Sequence, residues 1–159
     1  MATTKYAKLI KEIPAEHKKM GPPKKSKYGD RVTNMPVMVE TFGNLPMVRA
    51  AMGKNHGVKV GWFLVPVVKP VLMVDEPHQH DFDQFICIMG SNPYNIGYLG
   101  GEVEIYIGKE QEKHVIKVPS IVHLTPGLIH CPIYYKKVTQ PIMHLDIYLT
   151  DEYIRKPIA

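Results

Sequence analysis

Two histidines one residue apart, in Pro77-His78-Gln79-His80-Asp81-Phe82-Asp83-Gln84, restrict this chain more than any other feature. Side chains alternate between the two faces of a strand, so His78 and His80 point to one side and Gln84 keeps their parity. A further histidine closes Pro126-Gly127-Leu128-Ile129-His130, fifty positions beyond His80. For His130 to join the pair, the chain must return to its own start, which a β-barrel does.

From about Thr33 the sequence consists of short β-rich runs punctuated by Gly and Pro. Strands are expected over 36–40, 58–65, 70–74, 84–89, 102–107, 114–118, 121–124, 131–136 and 142–149. Alternation is clearest in Glu102-Val103-Glu104-Ile105-Tyr106-Ile107, where Val103, Ile105 and Ile107 face a core. Gly108-Lys109-Glu110 follows as a hairpin turn, and the stretch from Gly90 to Gly97 reads as a longer loop suited to a lid over a barrel mouth.

At 159 residues, with 45% hydrophobic and 22% charged residues, the chain suits one soluble domain with a real core. No run approaches ~18 apolar residues and no signal-peptide pattern opens the chain, so a cytoplasmic protein without a membrane partner is expected. Cys87 and Cys131 lack Cys-x-x-Cys spacing and lie in apolar runs, which reads as buried free thiols; a disulfide would require adjacent strands.

The net charge of +5 comes from one end. Residues 1–31 hold nine Lys/Arg against three Asp/Glu, and residues 32–159 hold eleven against twelve. We therefore divide the chain into a basic N-terminal arm, 1–31, and a β-domain, 32–159. The arm lacks a nucleic-acid fold signature and interleaved stacking aromatics, so no nucleic-acid partner is expected. Tyr6, Leu9, Ile10 and Ile13 have helical spacing that Pro14 ends, and would be stabilised by docking.

Imidazole suits Zn, Cu, Fe and Ni, and an amide oxygen completes a set that Mn also accepts. His78, His80, Gln84 and His130 are accordingly read as ligands of one divalent transition metal ion (Mn, Fe, Zn or Ni), with positions left for water or substrate. Because glutamine is neutral, such a site keeps the full charge of the ion and attracts anionic oxygens.

At these residues the chain resembles the cupin superfamily. His78, His80 and Gln84 stand at the ligand positions of its first motif, with Gly90 one residue before the usual closing glycine. Gly127 and His130 match the Gly-x-x-His of the second. The chain departs from the pattern where Gln84 replaces Glu, Thr125 replaces Pro, Tyr134 replaces Asn, and the first motif's opening glycine is missing. The resemblance covers roughly residues 58–150. It implies an all-β, cupin-type double-stranded β-barrel (jelly roll), usually a homodimer, with the metal inside one end. The His-His-Gln-His set is similar to that of cupins that open the ring of unsaturated uronates.

Parity extends the pocket. If His130 faces the cavity, Pro132 and Tyr134 share its side, and Ile86 and Ile88 follow Gln84 inward. On the last long strand the apolar set Met143, Leu145, Ile147 and Leu149 is the simple one to bury, leaving His144 and Asp146 to solvent. The alternative turns His144 and Asp146 toward the metal as a hydrogen-bonded acid/base pair. His144, Asp146 and Tyr134 are thus the catalytic candidates, and His123 is a weaker one. Asp81 and Asp83 have the wrong parity for ligands and suit orienting the loop.

Three functions fit. One is a metal-dependent lyase or isomerase acting on a small sugar-acid-like or keto-acid-like substrate. The others are a metal-dependent dioxygenase and a non-catalytic barrel that binds a small ligand.

Overall fold

A computed structural model describes residues 59–150, 153–156 and 158 in full, and the backbone of 32–33, 38–42, 45–51, 152 and 157. The N-terminal arm and its apolar positions fall outside the described residues.

The strands run in chain order as β1 (Val32–Thr33), β2 (Met38–Phe42), β3 (Leu45–Ala51), β4 (Gly61–Val67) and β5 (Val71–Val74). Next come β6 (His78–Gln79), β7 (Gln84–Gly90), β8 (Gly101–Ile107), β9 (Glu112–Ile116) and β10 (Ser120–Leu124). The chain closes with β11 (His130–Val138), β12 (Ile142–Tyr148), β13 (Glu152–Tyr153) and β14 (Lys156–Pro157). The short β1, β6, β13 and β14 and the longer β3 are additions to the expected set. The four short ones carry too few residues to show a period.

Two antiparallel sheets carry the fold. One has the order β10-β7-β12-β4-β3-β2 and the other β14-β6-β11-β8-β9, with β5 also pairing with β11; β1 and β13 form a separate pair. The sheets lie face to face but are not joined into a continuously hydrogen-bonded barrel. The architecture is all-β, as expected. Val65, Val67, Ile86 and Ile88 from the first sheet pack against Val103, Ile105, Ile133 and Tyr135 from the second. Cys87 and Cys131 are buried free thiols. Among the described residues no helix is long and apolar enough to cross a membrane.

Gly108 opens the β8–β9 turn at φ 83°, and its carbonyl accepts from Gln111 N at 3.1 Å. The loop after β7 leaves Tyr94 and Ile96 exposed. The strand end from which it starts, Gly90, is six residues along from Gln84, or about 20 Å at ~3.3 Å per residue. The loop therefore lies at the other end from the histidines and does not cover them.

On β12 the simple burial expectation is reversed. Ile142, His144, Asp146 and Tyr148 are buried, while Met143, Leu145 and Ile147 are only partly covered. The register supplies the reason. Asp146 pairs with Ile86 and His144 with Ile88, and residues directly opposite across a ladder share a face. Once Gln84 turns inward, Ile86 and Ile88 follow, and β12 must turn its polar set in with them.

β11 departs from parity in the opposite sense. Its register with β8 shifts between His130 and Ile133, where Cys131 has φ 78°. The irregularity acts as a bulge and changes which side chains face in. Ile133 and Tyr135 join the core instead of Pro132 and Tyr134. Tyr134 lies on the other face, with the Lys136 ammonium 4.0 Å from its ring centre.

Candidate metal centre

The strand ends place the histidines. His78 on β6 pairs directly with His130 at the start of β11. In the other sheet, β7 begins at Gln84 and β12 ends at Tyr148, its ladder partner. The Pro126-Gly127 turn sets the remaining approach. Leu128 N donates to Thr125 O at 3.1 Å around a Gly127 with φ 78°. This is a type II arrangement, with Pro fixing the first central residue and Gly tolerating the second. Gly127 N then donates to His80 O at 2.8 Å, tying the backbone of the first motif to the second.

His78, His80 and His130 come together, and one candidate ligand atom from each lies within 4.8 Å of the others. All three are buried, as is Gln84. Their tautomers follow from their partners. Nδ1 of His78 faces Glu76 O at 3.0 Å, Nδ1 of His80 faces Phe82 O at 3.1 Å, and Nδ1 of His130 faces Leu128 O at 2.9 Å. A carbonyl can only accept, so in His78 and His130 Nδ1 carries the proton and Nε2 keeps its lone pair, whereas His80 faces an acceptor oxygen at each nitrogen, Phe82 O at Nδ1 and Gln84 Oε1 at Nε2. This is the outer hydrogen bonding that metal-binding imidazoles use.

Burial drives all three toward the neutral form. His78 is lowered to about 3, first by desolvation and then by the charges of His130 and Arg155. His130 is lowered to about 4, chiefly by desolvation, and His80 moves in the same direction for the same reason. Neutral imidazoles can bind an ion without first releasing protons.

The Nε2 of His130 is buried with no hydrogen-bond partner among the described residues. A buried, unpaired acceptor costs about 1–3 kcal/mol, and a cation held among the three histidines would satisfy it. The donor set therefore fits one metal ion, and its identity is left open by three imidazoles.

Gln84 extends the site toward β12. Its Oε1 faces His80 Nε2, and its Nε2 donates to Asp146 Oδ2 at 2.5 Å. Asp146 can only accept when ionised, so this bond turns the amide oxygen toward the histidines. The second carboxylate oxygen of Asp146 is buried without a hydrogen-bond partner among the described residues. Desolvation raises Asp146 to about 7, against the hydrogen bond from Gln84 and the charge of Arg155.

His144 and Asp146 are not hydrogen-bonded to each other as the expected pair. The Tyr135 hydroxyl and His144 Nδ1 are 2.6 Å apart, and Phe63 stacks on the His144 ring at 5.6 Å. Burial lowers His144 to about 4 and raises Tyr135. Tyr134, on the opposite face of β11, is not brought to the histidines, and the bulge substitutes Tyr135. His123 is outside the site and half exposed, held 2.7 Å from Asp83 and stacked on Phe85. Asp81 pairs with Lys156, so both aspartates of the first motif anchor its loop.

The sequence reading missed Tyr153 and Arg155. Tyr153 is buried, its hydroxyl 3.4 Å from His78 Nε2 and its ring packed near Phe82, Tyr148 and His80. The Arg155 guanidinium carbon lies 5.6 Å from the centre of that ring. They arrive because β14 pairs with β6, Pro157 opposite His78. A two-residue strand has no readable period, so no local signal could have announced them.

No protein-family model and no curated protein matches the chain. Solved structures similar to it include the Mn(II)-containing oxalate decarboxylase of Bacillus subtilis, at 11% identity and TM-score 0.47 over 76% of this chain and 30% of that one. The chain thus spans less than a third of that enzyme. A Cupin 2 conserved barrel domain protein from Salinispora arenicola CNS-205 is similar at 14% identity and TM-score 0.44, over 66% of this chain and 75% of that one. The DMSP lyase DddQ from Ruegeria pomeroyi DSS-3 is similar at 16% identity and TM-score 0.41, over 66% and 47% respectively. The clustered histidines of this site are those on which the sequence resembles the cupin superfamily.

Proposed function

We propose that the chain is a metal-dependent lyase or isomerase acting on a small, oxygen-rich substrate of the sugar-acid or keto-acid kind. The observation that carries this reading is Asp146, one oxygen tied to Gln84, the residue that faces His80, and the other buried with no hydrogen-bond partner among the described residues. A divalent ion held by His78, His80 and His130 with the Gln84 oxygen would supply Lewis acidity, which is undiminished because all four groups are neutral. Within that field Asp146 Oδ1 takes the proton from the carbon next to a substrate carbonyl and returns it to a neighbouring carbon or a leaving oxygen. His144, on the same face two residues earlier, is the second candidate for handling a substrate proton. Tyr134 has no part in this scheme. The buried hydrophobic wall of Ile86 and Ile88 excludes water from the transfer.

The same reading takes a homodimer in the cytoplasm as the working form. Its test is metal analysis joined to exchange chemistry. Protein reconstituted with Mn, Fe, Zn or Ni is expected to hold about one ion per chain and to exchange the α-hydrogen of a keto acid or uronate for solvent deuterium, without oxygen uptake. Substrate-dependent oxygen consumption would instead support the dioxygenase reading. Tight ligand binding with neither exchange nor oxygen uptake would support a binding protein.

A further inference from the structure

We propose that the Tyr153 hydroxyl fixes the exogenous oxygen ligand of this centre, an oxygen of a small hydroxy- or keto-carboxylate, by donating a hydrogen bond to it. The inference rests on the metal-centre reading above and assigns the group that recognises what enters the open position.

Three observations lead to it. Nδ1 of His78 is committed to Glu76 O, so the 3.4 Å approach of Tyr153 can only be its O–H donating to the His78 Nε2 lone pair. That lone pair is the one an ion would take. Once it is taken, the phenol proton loses its acceptor, and the ring is too closely packed against Phe82 and Tyr148 to swing toward water. The hydroxyl oxygen still accepts from Arg155, but a buried O–H donor without an acceptor is costly, and an incoming anionic oxygen would satisfy it. The positive charge of Arg155, beside the same ring, favours an anion there.

The backbone supports this placement. β14 pairs with β6 and Lys156 pairs with Asp81, so the segment carrying Tyr153 is clamped on the loop that carries His78 and His80. Tyr153 thereby keeps its position relative to the ligands.

The test uses full-length protein loaded with Co(II), whose visible spectrum reports ligand exchange, titrated with glycolate. Tyr153→Phe is expected to keep Co(II) affinity within about threefold and to weaken glycolate binding about tenfold, the loss of one hydrogen bond. Unchanged glycolate affinity overturns the inference while leaving the metal centre intact. So does a parallel loss of Co(II), which would make Tyr153 a packing residue. Failure of the wild type to take up Co(II) overturns the metal centre and this inference with it. If Tyr153→Phe does not fold, 3-fluorotyrosine introduced at position 153 keeps the ring and strengthens the donor. Glycolate binding tighter by about twofold is then expected, and unchanged or weaker binding overturns the proposal.

Discussion

Gln84 Nε2 donates to Asp146 Oδ2 at 2.5 Å across the β7–β12 ladder, which fixes the amide with its oxygen toward His80. A residue 62 positions away thus determines which end of a candidate ligand faces the histidines.

That relationship predicts opposite effects from two substitutions. Asp146→Ala frees the amide to turn, and metal affinity is expected to fall about 10- to 100-fold, as for other groups that orient a ligand. Gln84→Glu sets a second carboxylate against Asp146. The metal-free protein should lose about 1–3 kcal/mol near neutral pH while metal binds more tightly, because the ion relieves the repulsion. Competition against a chelating dye and urea unfolding measure the two effects. Unchanged affinity in Asp146→Ala would remove the orienting role.

His130→Leu keeps much of the volume and removes the unpaired Nε2. Bound metal should drop below about a tenth of an equivalent, with metal-free stability changed by less than about 1.5 kcal/mol. In the wild type, metal at a thousandfold above its Kd should add about 4 kcal/mol. Elemental analysis and thermal unfolding with and without chelator check both. Full metal occupancy in His130→Leu would exclude it as a ligand.

His144 predicts a pH dependence. Burial lowers it from 6.5 to about 4. The unfolded chain therefore takes up the proton first as pH falls. The stability contributed by keeping His144 neutral is complete above about pH 6.5 and is lost toward pH 4, by roughly 3 kcal/mol. The metal-free protein also carries His78 and His130, depressed in the same direction. The difference between wild type and His144→Phe isolates the effect, and the variant should show the shallower decline in urea midpoint from pH 7 to 4.5. Parallel curves would show that His144 does not titrate on unfolding.

Gly90→Ala tests the end of β7. A Cβ there would stand 2.0 Å from the Tyr98 carbonyl oxygen. Backbone on both sides must then move, and a loss of about 1–3 kcal/mol is expected from overpacking. A chemical unfolding midpoint unchanged within error would show that the loop yields freely.

The sequence by itself determined the β-class, most strand positions and the grouping of His78, His80 and His130. These follow from an alternation of period two and from a Pro-Gly turn whose geometry is local. Gln84 was legible for the same reason, since its parity is counted from the histidines. The tertiary structure decided what parity could not. Tyr135 rather than Tyr134 faces inward because a bulge after His130 interrupts the alternation. His144 and Asp146 are buried in place of Met143 and Leu145, because a central strand takes its inward face from its ladder partners, here Gln84, Ile86 and Ile88. Tyr153 reaches His78 only through a short strand pairing made between distant segments, a contact that no local pattern encodes.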